Sequence, residues 1–329
     1  MPNPHDVRFG ARLAIEPPDG GAVSLLDTDY LLLARPFTIK RSVADDGVIG
    51  PDPRGTGDLP QTEQSGAVGD VELAFHCRGA ALDYSPTVEP LELGRLLRAY
   101  GHQAVFRAPF GESPAMWLYV PDEGKTTSAW DFQEHGRRTV FRRATVAKWS
   151  IGGDAAGLLG SGCTVRGVIA GTTDSEPHSA LFYDTATRPF RLNGSGVCVT
   201  PSVSTWEHVG LRRWMLQQTW TVTDRLSGRD DGTVVGFARG RRTTTLAMTV
   251  EAATLGVQVN PYALKESGAS VFLSLALRSG RDWLYLVSEQ AQLVDVQDDE
   301  DGALALWNLT FQLHNRGNAT PYYLWMAQR

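Results

Sequence analysis

Residues 70–78 read DVELAFHCR, and apolar and polar side chains alternate along this stretch. Its apolar face consists of Val71, Leu73, Phe75 and Cys77. A period of two places these side chains on one side of an extended chain, whereas a helix would scatter them around its axis. Residues 243–251, which read TTTLAMTVE, repeat the pattern. Both stretches are therefore predicted to be half-buried β-strands.

The same order of elements surrounds both strands. Each is preceded by a shorter strand candidate, Phe37–Ile39 or Trp220–Val222, and followed by a short helix candidate, Pro90–Tyr100 or Pro261–Ser267. Two more strands close each copy: Ala144–Ser150 and Cys163–Gly167 in the first, Tyr285–Val296 and Trp307–Phe311 in the second. An early proline and a following Gly101 are typical of a helix over Pro90–Tyr100.

This recurrence predicts a mainly β fold with two tandem antiparallel β-barrel or β-sandwich domains, each with a short flanking helix. The predicted segments are an N-terminal arm (1–29), a first domain (30–174), a linker with an extra hairpin (175–208) and a second domain (209–329).

Composition narrows the functional classes. The chain has 329 residues, of which 42% are apolar, and it contains no uninterrupted apolar run of about 18 residues, so we expect no membrane anchor and no signal peptide. The net charge of −6 argues against nucleic-acid binding. Cys77, Cys163 and Cys198 are too far apart for a zinc site and are predicted to be reduced core residues.

The motifs of catalysis are incomplete. Gly124-Lys125-Thr126 lacks the earlier glycine of a phosphate-binding loop, because Tyr119 stands there. Gly194-Ser195-Gly196 lacks the flanking pattern of a nucleophile elbow, and the seven histidines form no metal-ligand pair. The sequence therefore predicts a protein that is not an enzyme and has no cofactor and no metal.

Two loops and one hairpin stand out. Val43–Ser65 is long, rich in glycine and proline and nearly free of apolar residues, as functional loops are. Its counterpart, Leu226–Arg242, contains three arginines (Arg239, Arg241 and Arg242), which we expect to meet a carboxylate of a neighbouring molecule. The acidic run Asp298–Asp301, followed by Gly302, predicts a hairpin turn between two apolar strands.

This pattern resembles the tail tube proteins of long-tailed, siphovirus-type bacteriophages, in the variant that fuses two barrels. The likeness is carried in the first copy by Phe37–Arg41, Gly69–Arg78, Pro90–Tyr100, Ala144–Ser150 and Cys163–Ala170. In the second copy it is carried by Trp214–Asp224, Thr243–Ala252, Leu284–Val296 and Ala303–Leu313. It implies a structural virion protein. Three chains would form a pseudo-hexameric ring, and stacked rings would form the tube through which the genome is ejected.

The resemblance also implies partners and roles. The chain would bind itself and the tape-measure, tail-terminator and distal tail proteins, DNA would pass through without specific binding, and assembly in the bacterial host cytoplasm would place the protein in the virion. The expected ring-stacking residues are Gly47, Pro51, Pro53, Arg54 and Gly57. The expected lumen residues are Asp298, Asp299, Glu300 and Asp301, because an acidic wall repels DNA.

A different class of protein shares this architecture. Tandem β-sandwiches also form carbohydrate-binding and adhesive modules, and nine tryptophans, mostly in predicted strands, suit such a role. A glycan binder stays monomeric and is stabilised by saccharides, whereas a tube protein assembles without a ligand.

Overall fold

A computed structural model gives the fold of residues 9–17, 23–25, 31, 33–42, 67–77, 83–89, 91–111, 114–122, 126–134, 137–154, 157–174, 196–200, 208–226, 234–252, 260–279, 281–314 and 320–328. The predicted stacking residues Gly47, Pro51, Pro53, Arg54 and Gly57 lie outside these ranges, as do residues 191–195 of the predicted linker hairpin.

These residues form two helices and a 16-stranded sheet. The strands of the first half are β1 (Phe9–Ile15), β2 (Ile39–Ser42), β3 (Val68–His76), β4 (His102–Arg107), β5 (Met116–Pro121), β6 (Ser128–Glu134), β7 (Arg137–Asp154) and β8 (Gly160–Asp174). Those of the second half are β9 (Gly196–Thr200), β10 (His208–Val209), β11 (Leu211–Leu226), β12 (Val234–Glu251), β13 (Ser270–Ser279), β14 (Asp282–Asp301), β15 (Leu304–Leu313) and β16 (Tyr323–Gln328). The helices are α1 (Leu91–Ala99) and α2 (Pro261–Ser267).

The prediction of a mainly β protein with a short helix in each half is confirmed. The sheet is large, open and antiparallel, and its longest path runs from β10 to β2. Alternation along β3 buries Val71, Leu73 and Phe75, which are at most 2% exposed. In β12 the same pattern buries Leu246, Met248 and Val250.

The two halves share one strand order. In the first half neighbouring strands run β1-β6-β7-β8-β3-β2, and in the second half they run β9-β13-β14-β15-β12-β11. Along the chain, a helix follows the fifth strand of each series, α1 after β3 and α2 after β12. The hairpin β4–β5 is inserted after α1, whereas β16 is added after β15. Each half therefore repeats one six-stranded arrangement.

Helix α1 forms as its sequence predicts. Glu92 lies in the first turn and Arg98 in the last, where each charge complements the helix dipole. Leu93, Leu96 and Leu97 form its apolar face and are at most 1% exposed. The helix ends at Ala99, and Gly101 just beyond it has a φ of 91°, a left-handed conformation that glycine adopts easily.

Three further expectations have outcomes here. Cys77 and Cys163 are free and buried, as predicted, and burial raises the pKa of the Cys163 thiol to about 12. The side chain of Cys198 is outside the described part of the chain. The prediction of a loop over Leu226–Arg242 is wrong for most of its length, because β12 begins at Val234. Neither α1 nor α2 has the length and apolar character needed to cross a bilayer.

Candidate assembly edges and the junction between the halves

The two halves join where β7 pairs with β11. One edge of β7 is paired with β8. Along the other edge, the first part of β7 pairs with β6 and the last part of β7 pairs with β11. The β11 register runs from Arg213 opposite Asp154 to Thr219 opposite Lys148. A Cβ atom added at Gly152 would lie 2.2 Å from the carbonyl oxygen of Trp214, so this close approach requires glycine.

A second junction completes the sheet. Strand β16 lies between β14 of the second half and β5 of the first, and β5 also pairs with β4. The last strand of the second half therefore joins the hairpin inserted into the first. Neither this pairing nor that of β7 with β11 was anticipated from the sequence, because alternation defines the faces of a strand and not its edge partners.

Aromatic side chains fill the space behind the first junction. Trp149 of β7 stacks on Tyr100, with ring centroids 5.0 Å apart and planes 10° from parallel. His102 packs edge-on against Trp149 at 5.3 Å, and Tyr322 lies 6.5 Å from the same ring. All four side chains are at most 2% exposed. The contact between the halves is therefore a piece of protein core.

A buried hydrogen-bond chain runs through this cluster. Nδ1 of His102 lies 2.9 Å from the Leu97 carbonyl oxygen, which can only accept, so Nδ1 carries the proton of the neutral ring. Nε2 then accepts from the Tyr322 hydroxyl at 2.8 Å. The side-chain amide oxygen of Gln218 lies 3.0 Å from the same Tyr322 hydroxyl, whose single proton is already donated to His102. If the Gln218 amide is turned by 180°, its NH2 group donates to the hydroxyl, and the buried Nε2 of Gln218, otherwise unpartnered among the described residues, gains a hydrogen bond. Burial lowers the pKa of His102 to about 3 and keeps it neutral.

Strand β14 occupies in the second half the position of β7 in the first. Along one edge of β14, the first part pairs with β16 and the last part pairs with β15. Along the other edge, β14 pairs with β13 from its start as far as Gln292. Beyond Gln292, on the β13 side, residues 293–301 have no strand partner among the residues that the structure describes. This open segment corresponds to the part of β7 that β11 occupies.

Strand β2 occupies the position of β11 and is open on one side. It pairs only with β3, from Ile39 opposite Val71 to Ser42 opposite Val68, and ends the main path of the sheet. Lys40, Arg41 and Ser42 are exposed. Both strands that correspond to the β7 and β11 junction therefore have an unpaired edge among the described residues.

Helix α2 stands beside the open segment of β14. Asn260 caps its start by accepting from the backbone N–H groups of Tyr262 and Ala263, and Gly268 ends it with a φ of 61°. Two exposed contacts tie it to β14: Lys265 Nζ lies 2.9 Å from Asp295, and Tyr262 donates to Asp298 at 2.6 Å. Such contacts between exposed polar groups are weak and easily exchanged.

The predicted acidic hairpin exists, but its turn lies later than expected. Strand β14 continues through Asp301, and the chain turns at Gly302, whose φ is 64°. The Asp299 carboxylate accepts from the Asn308 amide and from the Glu300 backbone N–H, both at 2.9 Å, and the Asn308 bond is the main reason that its pKa is lowered. The run Asp298–Asp301 is exposed at the end of a long strand.

The described residues hold no group of three or more metal-ligating side chains. The sequence matches no protein-family model and shows no significant similarity to a curated protein.

Proposed function

We propose that this chain is a structural protein of the phage tail-tube type. Its two halves act as successive barrel-like domains, three chains form a ring with pseudo-sixfold symmetry, and rings stack into a tube that conducts DNA. The observation that carries the proposal is the repeated strand order, together with a junction whose counterpart strands have open edges.

The argument rests on repeating an existing contact. Within one chain, the last part of β7 pairs with β11. The corresponding strands are β14 and β2, and both have an unpaired edge among the described residues. If β14 of one chain pairs with β2 of the next, every domain in the assembly meets its neighbour through the same kind of contact. A head-to-tail contact of this kind closes into a ring when its rotation permits.

The backbone of the first half supports a barrel. The Leu31 N–H donates to the Ala11 carbonyl of β1 at 3.0 Å, and the Ala34 N–H donates to the Ala74 carbonyl of β3 at 2.8 Å. Leu33 also forms an isolated bridge with Phe75. Leu31 and Ala34 therefore link β1, at one end of the strand series, to β3, beside its other end, as closure of a barrel requires.

The remaining roles are those that the tail-tube resemblance implies. The Gly- and Pro-rich segment Val43–Ser65 connects β2 to β3 in the sequence and is proposed to contact the next ring. The exposed run Asp298–Asp301 ends the open segment of β14 and is proposed to face the lumen. Tape-measure, tail-terminator and distal tail proteins would bind the assembled tube, and the protein would reside in the virion.

Electron microscopy and sedimentation of the purified protein test the ring contact. We expect rings or tubes to form as concentration rises. Val294 is 41% exposed on the open segment of β14, and Val294→Lys should keep the protein monomeric. Met215 in β11 is a matched control, because it is 46% exposed but its strand is paired there with both β12 and β7, and Met215→Lys should assemble normally. A monomer at all concentrations, or assembly by Val294→Lys, would refute the proposed contact.

A separate variant tests stacking. Deletion of residues 47–57 should leave single rings that do not form tubes, since this segment is proposed to join one ring to the next. Tubes of normal length from the deletion variant would contradict that role.

An aromatic face gives the carbohydrate-binding alternative its best location. Trp283 and Tyr285 stack with centroids 5.7 Å apart beside Trp325, around a recess of about 290 Å³. The other lining residues are Pro114, Met116, Val287 and Ala327. Saccharide sites also need several polar side chains, which this described lining lacks apart from the tyrosine and tryptophan rings, so a protein contact fits it better. Stabilisation of a monomer by saccharides would favour the alternative.

A further inference from the structure

The arginines that the sequence placed on a loop line a cavity of about 510 Å³. Its walls come from β11, β12, β15 and the segment before β16: Trp220, Arg239, Gly240, Arg241, Arg242, Thr243, Thr244, Gln312, Leu313, His314 and Pro321. Arg241 and Thr243 are exposed at its rim, so the cavity is open to solvent.

The cavity concentrates positive charge on an acidic chain. Three arginines and one histidine line it, and none of the described lining residues is acidic. The whole chain carries a net charge of −6, so this cluster is opposite in sign to the molecule. Like charges held close together repel each other, and a bound anion removes that repulsion.

Arg239 is fixed at the back of the cavity. Its Nε donates to the Thr145 hydroxyl at 2.7 Å, and its Nη2 donates to the Ala99 carbonyl at 3.1 Å. Both partners belong to the first half, so Arg239 bridges the halves. Its Nη1 is a buried donor with no hydrogen-bond partner among the described residues. Burial lowers its pKa to about 10, which still leaves the guanidinium charged at neutral pH.

Trp220 positions two of the guanidinium groups. The Cζ atoms of Arg239 and Arg242 lie 5.5 Å and 5.3 Å from the centre of its ring, within the range of cation–π attraction. Anchored arginines lose little conformational entropy when they bind, and their planar donors match the oxygens of carboxylates and phosphates.

We infer that this cavity is an anion site that binds a small tetrahedral oxyanion of the phosphate class. Arg239 and Arg242, held against Trp220, form the inner wall, Arg241 at the rim provides the outer contact, and His314 closes the β15 side. The two negative charges of a phosphate dianion balance several arginines better than the single charge of a carboxylate does. A recess bounded by strands also admits a small ion more readily than it admits a DNA duplex. Binding would hold the two halves together through Arg239.

Titration of the full-length protein with inorganic phosphate tests the site. At constant ionic strength, we expect saturable binding by calorimetry and a rise in the unfolding temperature that sodium chloride does not produce. Arg241→Gln should weaken phosphate binding by at least about tenfold, since it removes a charge-assisted contact without disturbing a buried one. Arg225→Gln removes the same charge from an exposed position of β11 outside the cavity and should bind as the wild type does.

Three results would overturn the proposal: no saturable phosphate binding, equal weakening by Arg241→Gln and Arg225→Gln, or tighter binding of a short DNA duplex than of phosphate. Arg239→Lys provides a second measurement if Arg241 contributes little. It keeps the charge but loses the planar donors, so phosphate affinity should fall, and circular dichroism checks that the fold is retained. Unchanged affinity in both arginine variants would also contradict the site.

Discussion

The last parts of β7 and β14 occupy the same position in two copies of one strand arrangement, yet they have different surroundings. The last part of β7 is paired with β11, and its Trp149 packs against Tyr100, His102 and Tyr322. That of β14 has no strand partner on the same side among the described residues, and α2 stands beside it.

This difference indicates that the contacts of β7 are permanent, whereas those of the open segment of β14 can be exchanged for contacts with another chain. At β7 the neighbours are buried aromatic rings and a buried hydrogen-bond chain, which stabilise one arrangement only. At β14 the neighbour is α2, whose polar contacts with the strand are exposed and readily replaced, and whose Tyr262 and Leu264 are only partly buried against the core. One chain thus contains both a completed junction and, in our proposal, the surface where the next one forms.

Loss of Trp149 tests the completed junction most severely. Trp149→Ala should lower the free energy of unfolding by about 3–5 kcal/mol, because it leaves a cavity among fully buried rings. Urea unfolding followed by circular dichroism measures this change. Trp149→Phe keeps a ring beside Tyr100 and should cost clearly less. Equal and small losses in both variants would show that the junction is not part of the core.

The pH dependence of stability probes His102 in the same junction. Its folded pKa of about 3 lies below the ordinary value of 6.5, so the unfolded chain binds a proton in that interval and the folded protein does not. His102 therefore makes stability fall as pH decreases from about 6.5 towards 3, by up to about 1.4 kcal/mol per pH unit. Its surroundings include Arg239, Arg242 and Tyr322.

Comparison with His102→Gln isolates this contribution. The variant has no titrating ring, so its unfolding free energy at pH 6 should exceed that at pH 4 by less than in the wild type. Parallel pH profiles for the two proteins would mean that protons reach His102 in the folded state.

Two sets of ion pairs allow a partly buried link between the halves to be compared with an exposed one. Arg166 of β8 donates to Asp224 of β11 at 2.9 and 2.8 Å and to Asp70 of β3 at 2.8 Å, with 26% of its side chain exposed. Arg166→Gln should cost about 1–2 kcal/mol, because it leaves two partly buried carboxylates close together.

The control pair also joins β11 to the first half. Arg213 and Asp154 lie 2.7 Å apart, but their side chains are 67% and 61% exposed. Arg213→Gln should therefore cost less than about 0.5 kcal/mol in the same unfolding measurement. A larger loss from Arg213→Gln than from Arg166→Gln would reverse the expected order.

The contact between α2 and β14 should have the smallest effect on stability. Lys265→Ala removes the exposed ion pair with Asp295 and should change the free energy of unfolding by less than about 0.5 kcal/mol. If α2 must yield to a neighbouring chain, the same variant should assemble at lower concentration in sedimentation experiments. A stability loss of several kcal/mol would instead identify α2 as a permanent cover.

The sequence predicts local structure well where one face of an element is buried. Val71, Leu73 and Phe75, the face of α1 and the hairpin at Asp298–Gly302 all follow from periodicity or turn chemistry. The strand containing Arg239–Arg242 was predicted as a loop because Gly240 and adjacent charges usually indicate one. In the structure, β11 and β12 continue through irregular pairing near Trp220, and these charges line a cavity within the sheet.

The pairing of β7 with β11 and of β5 with β16 could not be predicted from periodicity. Edge partners depend on backbone groups that every residue shares, and on the shape of the finished sheet. The exception is Gly152, whose missing side chain permits close approach, although one glycine among 34 carries no signal by itself.

The position of β16 between β5 and β14 has a consequence for synthesis. Because Leu324 pairs with Tyr119, the β4–β5 hairpin leaves the ribosome long before its partner strand exists. Until then, the β5 edge is open to any other extended chain, including those of neighbouring ribosomes on the same message. The order of translation thus exposes the β5 edge of the first half to mispairing until the end of the second half has been made.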